Sequence, residues 1–227
     1  MKTNGKKGLI AGICLLLGFV LFTFLIMTVD VRPVGQNGTD IGFAAVNLWF
    51  HDLTGNHMLI YTITDWLGLV PIAICMCFGV LGLVQWIKRR RLFKVDADIL
   101  LLGVYYIIVI LGYLIFEMIP INYRPIPING YMEASYPSST TLLVLSVMPT
   151  LKFQIDRRTD NKTVRTITTL FVVLFSAFMV IGRLIAGVHW LTDIIGSVLL
   201  SSGLYLIYRS TVLIIDSKKE KSNEISA

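Results

Sequence analysis

The sequence predicts an all-α polytopic integral membrane protein: a six-transmembrane-helix bundle with a short interfacial helix in the first outer loop. Three observations predict it. Of 227 residues, 55% are hydrophobic and only 15% charged, against about one quarter charged in soluble domains. The mean hydropathy is +0.74, and the apolar residues come in blocks long enough for a bilayer rather than in short runs broken by turns. The 20 Lys and Arg fall mostly on alternate sides of those blocks. A soluble single-core protein, a collagen, a disulfide scaffold and a disordered chain are excluded on these grounds.

The first block, about 8–28, follows Lys2, Lys6 and Lys7. It is too long for the apolar part of a secretory signal and no small-x-small cleavage site follows, so it is expected to remain as the first helix. Between the first two spans, Ile41, Phe43, Ala44, Val46, Leu48, Trp49 and Phe50 suit a short helix in the interface, as a packing lid or a substrate gate. The second and third spans are expected at about 58–87 and 99–119, each able to cross ~30 Å of hydrocarbon. The fourth, about 138–153, is short and opens after Pro137; the fifth and sixth cover about 167–186 and 191–208. Residues 1–215 thus form one membrane domain, and the polar segment 216–227 reads as a disordered cytoplasmic tail. Cys14, Cys75 and Cys77 fall inside spans and offer neither a disulfide framework nor zinc spacing.

Charge assigns the sides. One side collects Lys2, Lys6, Lys7, residues 88–91, Lys94, Lys152, Arg157, Arg158, Lys162, Arg165, Arg209, Lys218, Lys219 and Lys221; the other receives Arg32, Arg124 and Arg183, a ratio of 17 to 3. Basic loops stay in the cytoplasm, so a multi-pass protein of the cell membrane with both termini cytoplasmic is expected. The net charge of +6 is then a topology signal and a contact with anionic lipid. Nucleic acid is not implied as a partner, and no protein partner is indicated.

The few polar residues on the outer side form a pattern. Arg183 ends the fifth span; His189 and Asp193 open the sixth, four residues apart and therefore on one face. The carboxylate can accept the imidazole Nδ1 proton and turn Nε2 outward as a base or nucleophile. Pro137-Ser138-Ser139 starts the fourth helix, whose free N–H groups and positive end suit an anion. Arg124 lies in the preceding outer loop, and arginine bonds two phosphate oxygens at once. Together these residues read as a phosphate site at the extracytoplasmic face.

Arg183, five residues, His189, three residues, Asp193 resembles the third signature motif of the type 2 phosphatidic acid phosphatase (PAP2) superfamily, whose members are six-span lipid phosphatases. Glu117 followed after six residues by Arg124-Pro125 is similar to the first motif, which begins with Lys. Pro137-Ser138-Ser139-Thr140 is similar to the second, Pro-Ser-Gly-His. The resemblance implies that His189 attacks phosphorus and forms a phosphohistidine held by Asp193, and that Arg124, Ser138, Ser139 and Arg183 grip the phosphoryl oxygens. It implies no metal and no cofactor, because the arginines and the helix dipole supply the charge stabilisation.

Two departures alter the chemistry. Thr140 stands where the family has the His that protonates the leaving oxygen, a loss worth roughly 10² to 10⁴ in rate. Glu117 stands where the family has a phosphate-binding Lys. A polyprenyl diphosphate such as undecaprenyl diphosphate, whose leaving group is a phosphate monoester, has less need of that acid than a lipid phosphate monoester. Glu117, if desolvated, is a candidate substitute acid; the alternative is a partner for Arg124 or Arg183. His51 and His57 are weaker candidates. The expected function is a membrane lipid phosphatase acting on a lipid phosphate or polyprenyl diphosphate. The alternatives are an impaired homologue that binds phosphorylated lipids or acts as a membrane scaffold, and a transporter using Asp65 and Glu117.

Overall fold

The structure, a computed structural model, describes residues 2–226 and the side chains of 5–223. Among the described residues eight α-helices follow one another: α1 (Lys2–Thr28), α2 (Ala44–Thr54), α3 (Met58–Leu67), α4 (Leu69–Arg89), α5 (Ala97–Met118), α6 (Ser139–Arg158), α7 (Lys162–Ile185) and α8 (Leu191–Ser226). Among the described residues β-pairing is limited to isolated bridges within loops 28–44 and 118–139. The expected interfacial helix is α2. The second expected span is a rod broken at Gly68, because Pro71 has no N–H for the Leu67 carbonyl. There the Gly68 N–H turns to the Thr64 and Asp65 carbonyls at 3.1 and 3.0 Å.

Among the described residues five segments are long and apolar enough to cross a membrane: Gly5–Thr28, Met58–Arg89, Ala97–Met118, Lys162–Ile185 and Leu191–Asn223. The fourth expected span, α6, is not among them, and its place in the bundle explains why. It packs on α4, α5, α7 and α8, so its polar side chains face protein instead of lipid. Ser146, Thr150 and Gln154 are fully buried. Tyr105 Oη donates to the Ser146 carbonyl at 2.9 Å, the Tyr106 and Thr150 hydroxyls lie 2.7 Å apart, and Gln154 Nε2 donates to Tyr208 Oη. A helix ringed by others satisfies such groups across interfaces.

α1 lies along α8 through small residues. Gly8 and Gly12 are four apart and face Ser210, Ile207 and Gly203; a Cβ on Gly12 would stand 2.9 Å from the Gly203 carbonyl oxygen. Close backbone approach of this kind is the packing device of membrane helices. The tail expected to be disordered instead continues α8 as far as Ser226. Asp216 pairs with Arg157 at 2.6 Å and Ser217 is buried, while the Lys- and Glu-rich end favours helix.

The succession of antiparallel rods gathers the Lys- and Arg-rich loops 89–97 and 158–162 at one end, where Asp98 is buried between Arg157 and Arg158 at 3.3 and 3.1 Å. Loops 28–44, 54–58, 118–139 and 185–191 meet at the other end. The free thiols of Cys14 and Cys77 are exposed on the rods.

Gly12→Leu is expected to push α1 off α8 and cost about 1–3 kcal/mol, read as a lower Tm in detergent. Gly18→Leu, where an added Cβ meets nothing within 4 Å, is expected to change stability by less than about 0.5 kcal/mol.

Candidate active site

The turn between α7 and α8 sets the site. Gly187 has φ +68, and a Cβ there would lie 2.0 Å from the Gly55 carbonyl oxygen; only glycine lets the turn pass under the α2–α3 loop. Residues 186–190 are all buried, and His189 is 3% exposed. The start of α8 is capped from within. The Trp190 N–H donates to Asp193 Oδ2 at 2.8 Å, half of a capping box, and the Thr192 N–H donates to Asn47 Oδ1 at 3.2 Å. Asn47 Nδ2 in turn donates to the Gly42 carbonyl at 2.8 Å, so α2 is locked as a lid on this helix end.

The start of α6 is built differently. Ser138 offers no side-chain cap; its hydroxyl donates to Thr141 Oγ1 at 3.1 Å and its N–H to the Asp193 carbonyl at 3.2 Å. The first-turn N–H groups of Ser139, Thr140 and Thr141 have no intrahelical acceptor, and the positive end of the helix dipole lies among them.

Loop 119–138 folds back on itself. Asn129 and Gly130, with φ 51 and 80, form its tip between Ile128 and Tyr131, as the Asn-Gly pair favours. The Arg124 N–H donates to the Glu133 carbonyl at 3.1 Å, and Gln36 Nε2 donates to the Arg124 carbonyl at 2.8 Å. The Arg124 side chain is thereby carried inward. Its Nε lies 3.0 Å from Glu133 Oε2, out of line for a hydrogen bond.

Arg183 reaches the same place from α7. The Arg124 and Arg183 Cζ atoms lie 6.0 and 5.0 Å from the Tyr61 ring centroid. Arg183 is 1% exposed; Nη1 is 3.5 Å from Thr64 Oγ1, and Nη2 donates both to Asp65 Oδ1 at 3.3 Å and to Thr140 Oγ1. His189 Nδ1 lies 3.5 Å from Asp193 Oδ2. Burial first, then the positive charges of Arg124 and Arg183, hold the His189 pKa well below the ordinary 6.5, so the imidazole is neutral and nucleophilic at neutral pH. Arg124 Nε and Nη1, Arg183 Nε and both His189 ring nitrogens are buried without a hydrogen-bond partner, as is Asp193 Oδ1.

The structure thus brings Arg124, Arg183, His189, Asp193 and the start of α6 together. Ser138 is fully buried with its donors committed, whereas Ser139 and Thr140 line an open cleft of about 270 Å³. Glu117 is not the partner of the two arginines: it lies exposed on α5, and the carboxylates that reach them are Glu133 and Asp65. His51 pairs with Asn56 and His57 with the Thr54 carbonyl, away from the cluster. Sequence reasoning missed Tyr61, Glu133 and the buried side chains of Asn122 and Ser135 beside Asp193. The Asn129-Gly130 turn signal would have folded Glu133 onto Arg124. Among the described residues no group of three or more His, Cys, Asp or Glu is placed to hold a metal ion.

Because His189 is held neutral in the fold, this residue binds its proton more readily in the unfolded chain below pH 6.5, and its contribution to stability falls as the pH drops through that range. The loss is up to about 1.4 kcal/mol per pH unit. The fall in Tm between pH 7 and pH 5 is expected to be smaller in His189→Asn than in the unmodified protein.

A family model described as the PAP2 superfamily matches residues 73–214. Comparison with curated proteins gives no match. Among solved structures the fold is similar to that of the first transmembrane PAP2 type phosphatidylglycerolphosphate phosphatase from Bacillus subtilis, at 16% identity and a TM-score of 0.61, over 91% of this chain and 96% of that one. With the family model covering more than half of its length, this chain belongs to the PAP2 superfamily.

Proposed function

We propose that the protein is a membrane lipid phosphatase that hydrolyses a lipid phosphate or a polyprenyl diphosphate, such as undecaprenyl diphosphate, through a phosphohistidine on His189 and without a metal. One observation carries the reading: the buried, unpartnered N–H groups of Arg124 and Arg183 converge with the buried ring nitrogens of His189 beside the uncapped start of α6. Unmet donors in a buried site are costly, and a phosphoryl group supplies the acceptors they lack. Membership of the superfamily supports the reaction class, and the charge asymmetry of the loops supports a site on the extracytoplasmic side of the cell membrane.

In this reading the phosphoryl oxygens take the guanidinium forks of Arg124 and Arg183 and the N–H groups of Ser139 and Thr140. His189 Nε2 attacks phosphorus in line, Asp193 holds the imidazole through Nδ1–H, and the charge developing on phosphorus is met by the two arginines. Water then opens the phosphohistidine. Thr140 favours a second reading, binding without turnover, since its hydroxyl is no acid near neutral pH.

The test is phosphate release by purified protein from undecaprenyl diphosphate, phosphatidate and phosphatidylglycerol phosphate. His189→Ala is expected to lose roughly 10⁴-fold or more, and Arg124→Lys, which gives up the bidentate fork, about 10²-fold. Release from none of the three, with His189→Ala indistinguishable from the unmodified protein, leaves the binding reading. Thr140→His is expected to raise turnover chiefly on monoesters, whose leaving alkoxide needs a proton; equal gains on monoester and diphosphate contradict the leaving-group argument.

A further inference from the structure

The cleft beside Arg183 contains a carboxyl group that the proposed reaction leaves unused. Asp65, in the last turn of α3, is the one Asp or Glu among the residues lining it. Its side chain is 56% exposed although it pairs with Arg183, which is 1% exposed. Asp65 Oδ1 and Thr140 Oγ1 are bound by the same atom, Arg183 Nη2. The carboxyl therefore stands beside the side chain that occupies the position of the missing acid.

The cleft also fixes where a leaving group must lie. Beyond the polar groups of Asp65, Tyr113, Ser139 and Thr140 its walls are apolar, formed by Leu69 and Ile72 of α4, Val109 and Ile110 of α5 and Leu142 of α6. A lipid with its phosphate on Arg183 and its chain along those walls has its bridging oxygen at the mouth, between Arg183 and the apolar walls, next to Asp65.

Resting on the phosphatase reading of His189, we propose that Asp65 is the general acid and base of this site, protonating the leaving oxygen in the role Thr140 cannot perform. The steps balance. His189 Nε2 forms a bond to phosphorus as the bond from phosphorus to the leaving oxygen breaks, and that oxygen takes the Asp65 proton, giving phosphohistidine, the free alcohol and the Asp65 carboxylate. Water then attacks phosphorus, gives its proton to Asp65 and displaces His189, which restores the acid and releases phosphate. The ion pair with Arg183 is the empty-site arrangement; an arriving phosphate takes over the guanidinium and leaves the carboxyl facing the leaving oxygen. The titratable groups facing Asp65 are Arg183 from α7 and Tyr113 across the cleft from α5, with Tyr61 one turn away on α3, while α6 presents only Ser139 and Thr140.

Asp65→Asn keeps the shape and removes the proton. Purified protein is assayed on phosphatidate, with its alkoxide leaving group, and on p-nitrophenyl phosphate, whose leaving group departs unprotonated. The expected result is a loss of about 10²-fold or more on phosphatidate, a loss under about 3-fold in the rate of the pre-steady-state p-nitrophenolate burst, which reports phosphorylation of His189 alone, disappearance of the basic limb of the kcat profile on phosphatidate, and partial recovery in Asp65→Glu. Equal losses of phosphatidate turnover and of the burst rate, or an unchanged basic limb, overturn the assignment and reduce Asp65 to a residue that positions Arg183. Unmodified protein that turns over both substrates while His189→Ala does not keeps the phosphatase reading whichever way Asp65 falls. Absence of turnover in the unmodified protein overturns both together.

Discussion

Two guanidinium groups buried beside one neutral imidazole are the constraint from which the rest of this fold can be understood. Removing an unpaired cation from water costs on the order of several kcal/mol, and Arg124 and Arg183 are 7% and 1% exposed. Each has a carboxylate, but a partial one. Glu133 meets Arg124 out of line, Asp65 meets Arg183 at 3.3 Å, and N–H groups on both arginines stay unmet. Burial, reinforced by the same positive field that makes the site expensive when empty, keeps His189 unprotonated. It therefore turns a structural cost into a nucleophile and an anion site in one arrangement.

The surrounding elements keep that field in place. The end of the bundle holding His189 is closed by backbone and side-chain hydrogen bonds, with α2 covering the start of α8 through Asn47 and with Trp190 Nε1 bound to the Tyr123 carbonyl at 2.8 Å. The Trp190, Thr192 and Asp193 N–H groups at the start of α8 are committed to Asp193, Asn47 and the Trp190 carbonyl, whereas the start of α6 has no side-chain cap. At the opposite end Asp98, Arg157 and Asp216 tie α5, α6 and α8 together. The polar core of α6 lies between the two ends, so one buried helix links the charged base of the bundle to the site.

Much of this was legible in the sequence, and particular residues explain what was not. The apolar blocks marked the membrane helices, and the segregation of basic residues marked the two ends, because both follow from solvent transfer alone. Arg183, His189 and Asp193 were legible because a helix end and a short turn fix their separation locally. The pairing of Arg183 with Asp65 spans 118 positions, and no local rule reports it. Glu133 was missed for Glu117 because the Arg124 loop doubles back at Asn129-Gly130, and the helical phase of α5 carries Glu117 to an exposed face. α6 looked like a weak span because burial among helices replaces continuous hydrophobicity with satisfied hydrogen bonds.

The most direct test of a phosphate site built from these buried donors is a structure of the protein with orthovanadate, a mimic of the pentacoordinate phosphoryl group. The account predicts vanadium bonded to His189 Nε2, with Arg124 and Arg183 on its oxygens and the Asp65 and Glu133 carboxylates turned away from the guanidinium groups. Vanadate bound elsewhere, or arginines still held by Asp65 and Glu133 at saturating vanadate, would contradict it.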